Sequence, residues 1–240
     1  MPKIKIIFEN NDYLIVDKPA GILVHPTSAN EPNTLSGWLK EKNPEIINLD
    51  WPDKNRIGIV HRLDKDTSGL IILAKNPETL AKLQALFKTR QVKKTYQCLV
   101  AGHAPETGKI NIPIVRDNQK DMMRVQAMSF SFSHGTPREA VTEFKTIARY
   151  QFKKDELSLV EVYPQTGRMH QIRVHMKHEG FPLVGDQIYF NKLSKRISKE
   201  LGIDRQFLHA VKLEFDGQTF ESELSDDLKL ILAKLKATDV

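Results

Sequence analysis

The stretch His61-Arg62-Leu63-Asp64-Lys65-Asp66-Thr67-Ser68-Gly69-Leu70 places a carboxylate between a basic residue and a turn rich in hydroxyls and glycine. Apolar sequence flanks it on both sides. Ile57 to Val60 reads as a strand leading in, and Leu70 to Ala74 as a short buried strand leading out. A carboxylate at such a junction is held by a sheet yet can face a cleft. The hydroxyls of Thr67 and Ser68 can bond local backbone, and Gly69 permits a sharp turn or the close approach of another chain. Asp, Ser, Thr and Gly are also the usual residues of an ordinary connection, so spacing alone leaves a plain strand-loop-strand reading open. Asp66 lies two residues beyond Asp64, and on an extended segment both carboxylates would face the same way, as a paired-acid glycosidase requires.

The second constellation is Gln165-Thr166-Gly167-Arg168-Met169-His170-Gln171-Ile172-Arg173-Val174-His175-Met176. Read as a helix from Arg168 to Glu179, it has an apolar stripe of Met169, Ile172 and Met176. Arg173 falls within that stripe, while Arg168, His175 and His178 lie on other faces. A guanidinium on a buried face is costly unless a carboxylate meets it. Arg173 therefore requires an acidic partner, for which Asp64 is the most interesting candidate, or else it reaches water along its aliphatic stem. His170, His175 and His178 do not have the i, i+4 spacing of helical zinc ligands, and no metal site is expected. Bonds to the fold or to phosphates suit them better.

The elements that must position these groups are mostly strands. Ile4 to Phe8 and Tyr13 to Val16 flank a turn, and Gly21 to His25 reads as a further strand. Asn76-Pro77-Glu78 is a helix start, followed by an apolar face of Leu80, Leu83, Leu86 and Phe87. Lys94 to Ala101, Ala140 to Ile147 and Leu157 to Tyr163 are strand-like. Asp216-Gly217 marks a hairpin between Val211–Phe215 and Thr219–Leu224. Ser225 then opens a last helix whose Leu228, Ile231, Leu232 and Leu235 face a core. Hairpins outnumber strand-helix-strand units, which predicts an α+β fold, a largely antiparallel mixed sheet flanked by helices.

Composition sets the bounds. The 240 residues hold no repeat, low-complexity tract or evident linker, and a single domain over 1–240 is expected. There is no apolar run long enough to span a membrane and no signal-peptide pattern. Cys98 is the only cysteine, which rules out an internal disulfide and a cysteine-based zinc site. Cytoplasmic location and no membrane partner are the expectations. Charge is uneven: residues 61–200 carry 24 Lys or Arg against 14 Asp or Glu, and the other residues 12 against 16. A basic middle suggests a polyanionic partner such as RNA or DNA, although a solvated surface would look the same.

The motifs together resemble the RluA-type pseudouridine synthases, which isomerise uridine in ribosomal and some transfer RNAs. In family order they are Ile15-Val16-Asp17-Lys18-Pro19-Ala20-Gly21, His61 to Gly69, Lys93-Lys94-Thr95-Tyr96, Thr166 to His175 with Pro182-Leu183-Val184-Gly185-Asp186, and the weaker Phe207-Leu208-His209-Ala210. They span about residues 13 to 215, and none departs in its key residues. Many relatives carry a small RNA-binding domain ahead of the catalytic one. Here the pattern begins almost at Met1, so that module is expected to be absent.

The resemblance implies the pseudouridine synthase catalytic fold and the following roles. Asp64 is the catalytic aspartate, Arg173 its ion-pair partner, and Tyr96 the active-site tyrosine that could stack on the base and move a proton. Arg62 resembles the residue that helps displace the target nucleotide. With His61, Lys65, Arg168 and His170 it makes the expected substrate-binding set, and Lys82, Lys88, Arg90 and Lys93 are plausible phosphate contacts. Asp66 receives no catalytic role. No cofactor or metal is implied. Attack at the anomeric carbon, attack at carbon 6 of uracil, and a glycal route all remain open. Large-subunit ribosomal RNA is favoured as substrate over transfer RNA, and a monomer is the default state. The competing readings are an RNA-binding factor with secondary catalysis and a hydrolase that releases free uracil.

Overall fold

The computed structural model describes residues 3–26, 33–117, 122–126 and 136–238. In chain order its first elements are β1 (Lys5–Glu9), β2 (Tyr13–Lys18), α1 (Leu35–Lys42), β3 (Ser68–Ala74) and α2 (Pro77–Lys88). There follow β4 (Lys93–Ala101), β5 (Thr107–Asn111), β6 (Ile114–Asp117), β7 (Met122–Val125), β8 (Val141–Phe152) and β9 (Asp155–Pro164). The last are α3 (Gln171–His178), α4 (Lys192–Leu201), β10 (Leu208–Phe215), β11 (Gln218–Glu221), α5 (Asp226–Leu232) and β12 (Lys236–Thr238). The chain gathers into two compact units, Met1–Lys94 with His209–Ser225, and Thr95–Leu208 with Asp226–Val240.

In the first unit β2 pairs antiparallel with both β1 and β3, and β3 pairs in parallel with the start of β10. All seven residues of β3 are buried, so its continuous apolar run reflects cover on both faces. The Asp216-Gly217 hairpin forms as expected between β10 and β11. Both turn residues have positive φ, 48° and 71°, which is why Asp-Gly is chosen there. Helix α2 starts where predicted, with the Asn76 side chain accepting the Thr79 amide at 2.8 Å.

In the second unit β9 pairs antiparallel with β4 and β8, β5 and β12 add to β8, and β6 pairs with β7. Cys98, Val100, Val160, Val162, Ile172, Met176 and Leu183 form its main core. Each unit is thus largely antiparallel with helices packed on strands, the predicted α+β class. No helix among the described residues is long and apolar enough to cross a membrane.

Two expected strands are not regular strands. Gly21–His25 makes one parallel bridge, Leu23 to Thr34. Its carbonyls serve the start of α1 instead, with the Leu35 and Ser36 amides donating to Leu23 and Val24 at 2.9 and 3.0 Å. Ile57–Val60 is interrupted by Gly58 at φ +74°, and only Ile59 bridges β3, at Leu73. The last helix ends at Leu232, leaving Leu235 beyond it, while Leu228 and Ile231 are buried as expected.

Candidate active site

The expected site residues fall into two sets, one on each unit. In the first unit, His61, Arg62, Asp64 and Lys65 sit on one loop that runs into β3. Leu63 is buried and anchors the loop, with Arg62 exposed before it and Asp64 half-buried after it. The chain then turns sharply, with the Thr67 amide donating to the Asp64 carbonyl at 3.2 Å. That turn ends the extended segment, and with it the geometric argument for pairing Asp66 with Asp64.

Both ends of the loop are fixed. Ahead of it, the Ile72 amide donates to Nε2 of His61 at 3.1 Å, and the ring stacks on Phe87 at 4.4 Å. Nε2 must therefore be unprotonated. Burial, with the Lys94 charge behind it, pushes the imidazole down to about 3. Behind it, Gly69 has φ +114°, and a Cβ there would meet the backbone nitrogen and oxygen of Ala210 at 2.4 Å. Only glycine lets β3 run this close to β10. The Ser68 hydroxyl bonds Nδ1 of His209 at 2.8 Å across the same pairing, so the His61–Gly69 and Phe207–Ala210 motifs share one structural reason.

The middle of the loop is held by a residue given no role from sequence. Lys18 is fully buried, and its ammonium donates to the carbonyls of Pro19, Ile22 and Lys65 at 2.8, 3.0 and 2.9 Å. All three of its donors are thereby satisfied, the condition for burying a charge. The Gly21 amide donates to the same Lys65 carbonyl at 3.0 Å. The Asp17-Lys18-Pro19-Ala20-Gly21 motif thus clamps the backbone one residue past Asp64. Its signal in the sequence was a lysine directly before a proline and glycine turn.

In the second unit, α3 is shorter than predicted, and His170 precedes it in the left-handed region at φ 54°. Arg173 is buried and finds the carboxylate its position demands. Its Nε and Nη2 donate to Asp186 at 2.7 and 2.9 Å, and its guanidinium lies 5.1 Å from the Tyr189 ring centre. Burial pushes the Asp186 carboxyl up, but the Arg173 bonds and charge, with the Ile188 and Tyr189 amides, outweigh this and hold it below its ordinary value. Sequence reasoning quoted Asp186 within a motif without assigning it this task.

Around Arg173 the motif is stitched to β8. Gln171 accepts from the Thr166 hydroxyl and the Arg168 amide, and donates to the Val141 carbonyl and Thr142 hydroxyl. His175, read as lying off the apolar stripe, is also buried, between Thr142 and the Ile112 carbonyl. His170 bonds the Tyr189 hydroxyl at 3.0 Å, and Arg168 Nε donates to the Glu139 carbonyl at 2.9 Å. Tyr96, on β4, is half-buried against the core that includes Ile172 and Met176. Of the basic residues, Lys82 pairs with Asp216 at 3.4 Å on an exposed surface. Among the described residues, no group of His, Cys, Asp and Glu is arranged to hold a metal.

The family model for RNA pseudouridylate synthase matches residues 12–178, which include the Lys18 clamp, the Asp64 loop and α3. The chain belongs to the RNA pseudouridylate synthase family. The family's reaction, isomerisation of uridine to pseudouridine in RNA, makes it an isomerase by class. A relative from Chloroflexus aurantiacus, named an uncharacterised RNA pseudouridine synthase, is 37% identical over 226 residues, covering 92% of this chain and 66% of its own length. The ribosomal large subunit pseudouridine synthase D of Pseudomonas aeruginosa is 35% identical, over 98% of this chain and 72% of its own. That of Neisseria meningitidis is 37% identical, over 96% and 61%. The chain therefore spans between about three fifths and three quarters of these relatives. Among solved structures, human RNA pseudouridylate synthase domain containing 1 superposes with a TM-score of 0.76 at 25% identity, over 98% of this chain and 89% of that one.

Chemically, the Asp64 loop offers a half-buried carboxylate with an exposed guanidinium two residues before it, on a backbone that cannot shift easily. Such a group can act as a nucleophile or a base toward a ribose brought to it. Helix α3 offers a buried guanidinium bonded to the Asp186 carboxylate.

Proposed function

We propose that this pseudouridine synthase isomerises uridine in large-subunit ribosomal RNA, with Asp64 as its catalytic nucleophile. The supporting observation is the clamped loop, in which Leu63 is buried, Asp64 is half-buried beside it, and Lys18 and Gly21 fix the next carbonyl. Isomerisation breaks the bond from the anomeric carbon to N1 and forms one from the same carbon to carbon 5. The carbon 5 proton is lost to solvent and N1 gains one. No electrons are gained or lost overall, so the rearrangement itself calls for no redox cofactor. Asp64 serves each of the three routes, as nucleophile at the sugar or base, or as base at the ribose.

A uridine in a stack must leave it before a carboxylate can reach the sugar, and Arg62, exposed beside Asp64, is suited to take its place. Lys65, Arg168, His61 and His170 complete the proposed substrate contacts, with His61 acting through the loop it holds. Tyr96 as proton-transfer residue and Arg173 as ion-pair partner of Asp64 rest on the family pattern. The choice of ribosomal RNA rests on the names of relatives at 35 and 37% identity. A monomer working in the cytoplasm completes the proposal.

The test is tritium release from RNA labelled at carbon 5 of uridine, with ribosomal and transfer RNA supplied separately. Release from large-subunit RNA without free uracil is expected. Release from transfer RNA alone would move the substrate, and free uracil would make the chain a hydrolase.

A further inference from the structure

Beside the Asp64 loop, wholly within the first unit, lies a cleft of about 340 Å³ that His61 and Arg62 border and whose remaining walls have no role above. Pro52, Ile59, Val60 and Leu80 supply apolar walls. Arg56, Arg62, Asp53 and His25 supply the polar part, leaving two guanidiniums against one carboxylate. Asp53 engages Arg56 only loosely, at 3.5 Å with both side chains exposed, and Arg62 meets no carboxylate among the described residues.

The telling group is His25. It is 93% buried by its 7% exposure, lines the cleft, and its Nδ1 has no hydrogen-bond partner. A buried polar atom left unpaired costs free energy unless a ligand satisfies it. Burial, then the nearby arginines, lowers the imidazole's proton affinity, so it is neutral at neutral pH. A neutral ring nitrogen suits a hydrogen bond to a base edge, and the guanidiniums suit a phosphate. The volume is at the low end of the roughly 300–1,000 Å³ of small-ligand clefts, room for one nucleotide and not for a duplex.

We propose that this cleft receives a second unstacked nucleotide of the substrate RNA, close in the strand to the target uridine. Its phosphate lies against Arg56, with Arg62 at the rim, its base lies against the apolar walls, and a turn of the His25 ring brings the enclosed Nδ1 to a base-edge atom. A free inorganic anion would use the arginines but not the walls, and single-stranded bases are held by this combination of cation and apolar face. The inference rests on the proposed RNA substrate, and the cleft then sets which sequence or loop is accepted.

The experiment has two arms. In the first, the full-length Asp64→Asn protein is irradiated with large-subunit ribosomal RNA carrying 4-thiouridine, and cross-linked peptides are identified. Cross-links within residues 52–62 and 80–84 are expected. In the second, Arg56→Ala and His25→Phe are assayed by tritium release on the same RNA. Each should raise KM about tenfold with kcat within about twofold. Arg56→Ala should also flatten the dependence of log K on log salt by about 0.7. Arg56 is exposed and its variant should fold, so the test survives if His25→Phe does not. Cross-links in the cleft without activity from the wild type would sink the proposed function and keep the cleft. Activity with unchanged KM in Arg56→Ala, and cross-links only elsewhere, would overturn the cleft.

Discussion

The loop of Asp64 and the helix of Arg173 hold their charged groups by opposite means. The Asp64 loop is fixed through backbone: a buried lysine on three carbonyls, an amide on an imidazole, and a glycine where no Cβ fits. Asp64 itself is half-buried. Arg173 is fixed through its own side chain, by a two-pronged bond to a buried carboxylate. A loop whose support lies in its backbone holds its place without spending the side chains of its charged residues on that support. A group whose side chain is the bond contributes charge and rigidity, and its loss disturbs the fold first.

The largest effect is expected where the loop joins the sheet. Gly69→Ala meets backbone at 2.4 Å in a conformation L residues rarely adopt, with no flexible atom to yield. Destabilisation above about 4 kcal/mol or failure to fold soluble protein is expected, read by urea denaturation. Asp186→Ala takes the two-pronged carboxylate from the buried Arg173 guanidinium, at a cost of about 3–5 kcal/mol. Equal losses of stability and activity across temperature would support the structural side of the comparison.

Lys18→Met should cost less, about 2–3 kcal/mol, since the loop carbonyls lose a charged donor but the Gly21 amide remains. Its kcat should fall at least about tenfold where the protein is still folded, with KM little changed. If activity merely tracked the folded fraction, the clamp would not position Asp64.

The smallest effect is a pH dependence. The His61 imidazole is held at about 3 in the fold against an ordinary 6.5. The unfolded chain therefore binds a proton that the folded chain refuses between those values. Its contribution is complete above about pH 6.5 and is lost steadily as pH falls toward 3. Stability should drop by about 2 kcal/mol between pH 7.5 and 5 from this group. His25 and His175, also kept neutral chiefly by burial, add in the same direction. Asp186, held below 3.8, adds only below that value, as pH falls through its folded value. In His61→Gln the slope below pH 6.5 should shrink by about 1.4 kcal/mol per unit. An unchanged slope would mean that the loop's anchor is not the imidazole.

Much of this was legible in residue types. Asn76-Pro77 fixed the start of α2, the apolar run 70–74 announced β3, and Asp216-Gly217 set its hairpin because few other pairs accept two positive φ values. Arg173 on an apolar stripe correctly implied a carboxylate. Sequence could not say that Asp186 would be one such carboxylate, because the meeting depends on the turn after α3. Nor could it separate Gly21–His25 from a strand, since its apolar residues are the same whether its carbonyls serve a ladder or a helix start. Lys18 was hidden for a similar reason: three carbonyl acceptors carry no signature of their own.

The most direct test of the central claim compares Asp64→Asn with Asp66→Asn in single-turnover tritium release from large-subunit ribosomal RNA. Asp64→Asn should fall by about a thousandfold or more while still binding RNA, and Asp66→Asn, within the turn, should stay within about threefold of wild type. Retained release in Asp64→Asn, or an equal collapse in both, would contradict the assignment of the chemistry to the Asp64 carboxylate of the clamped loop.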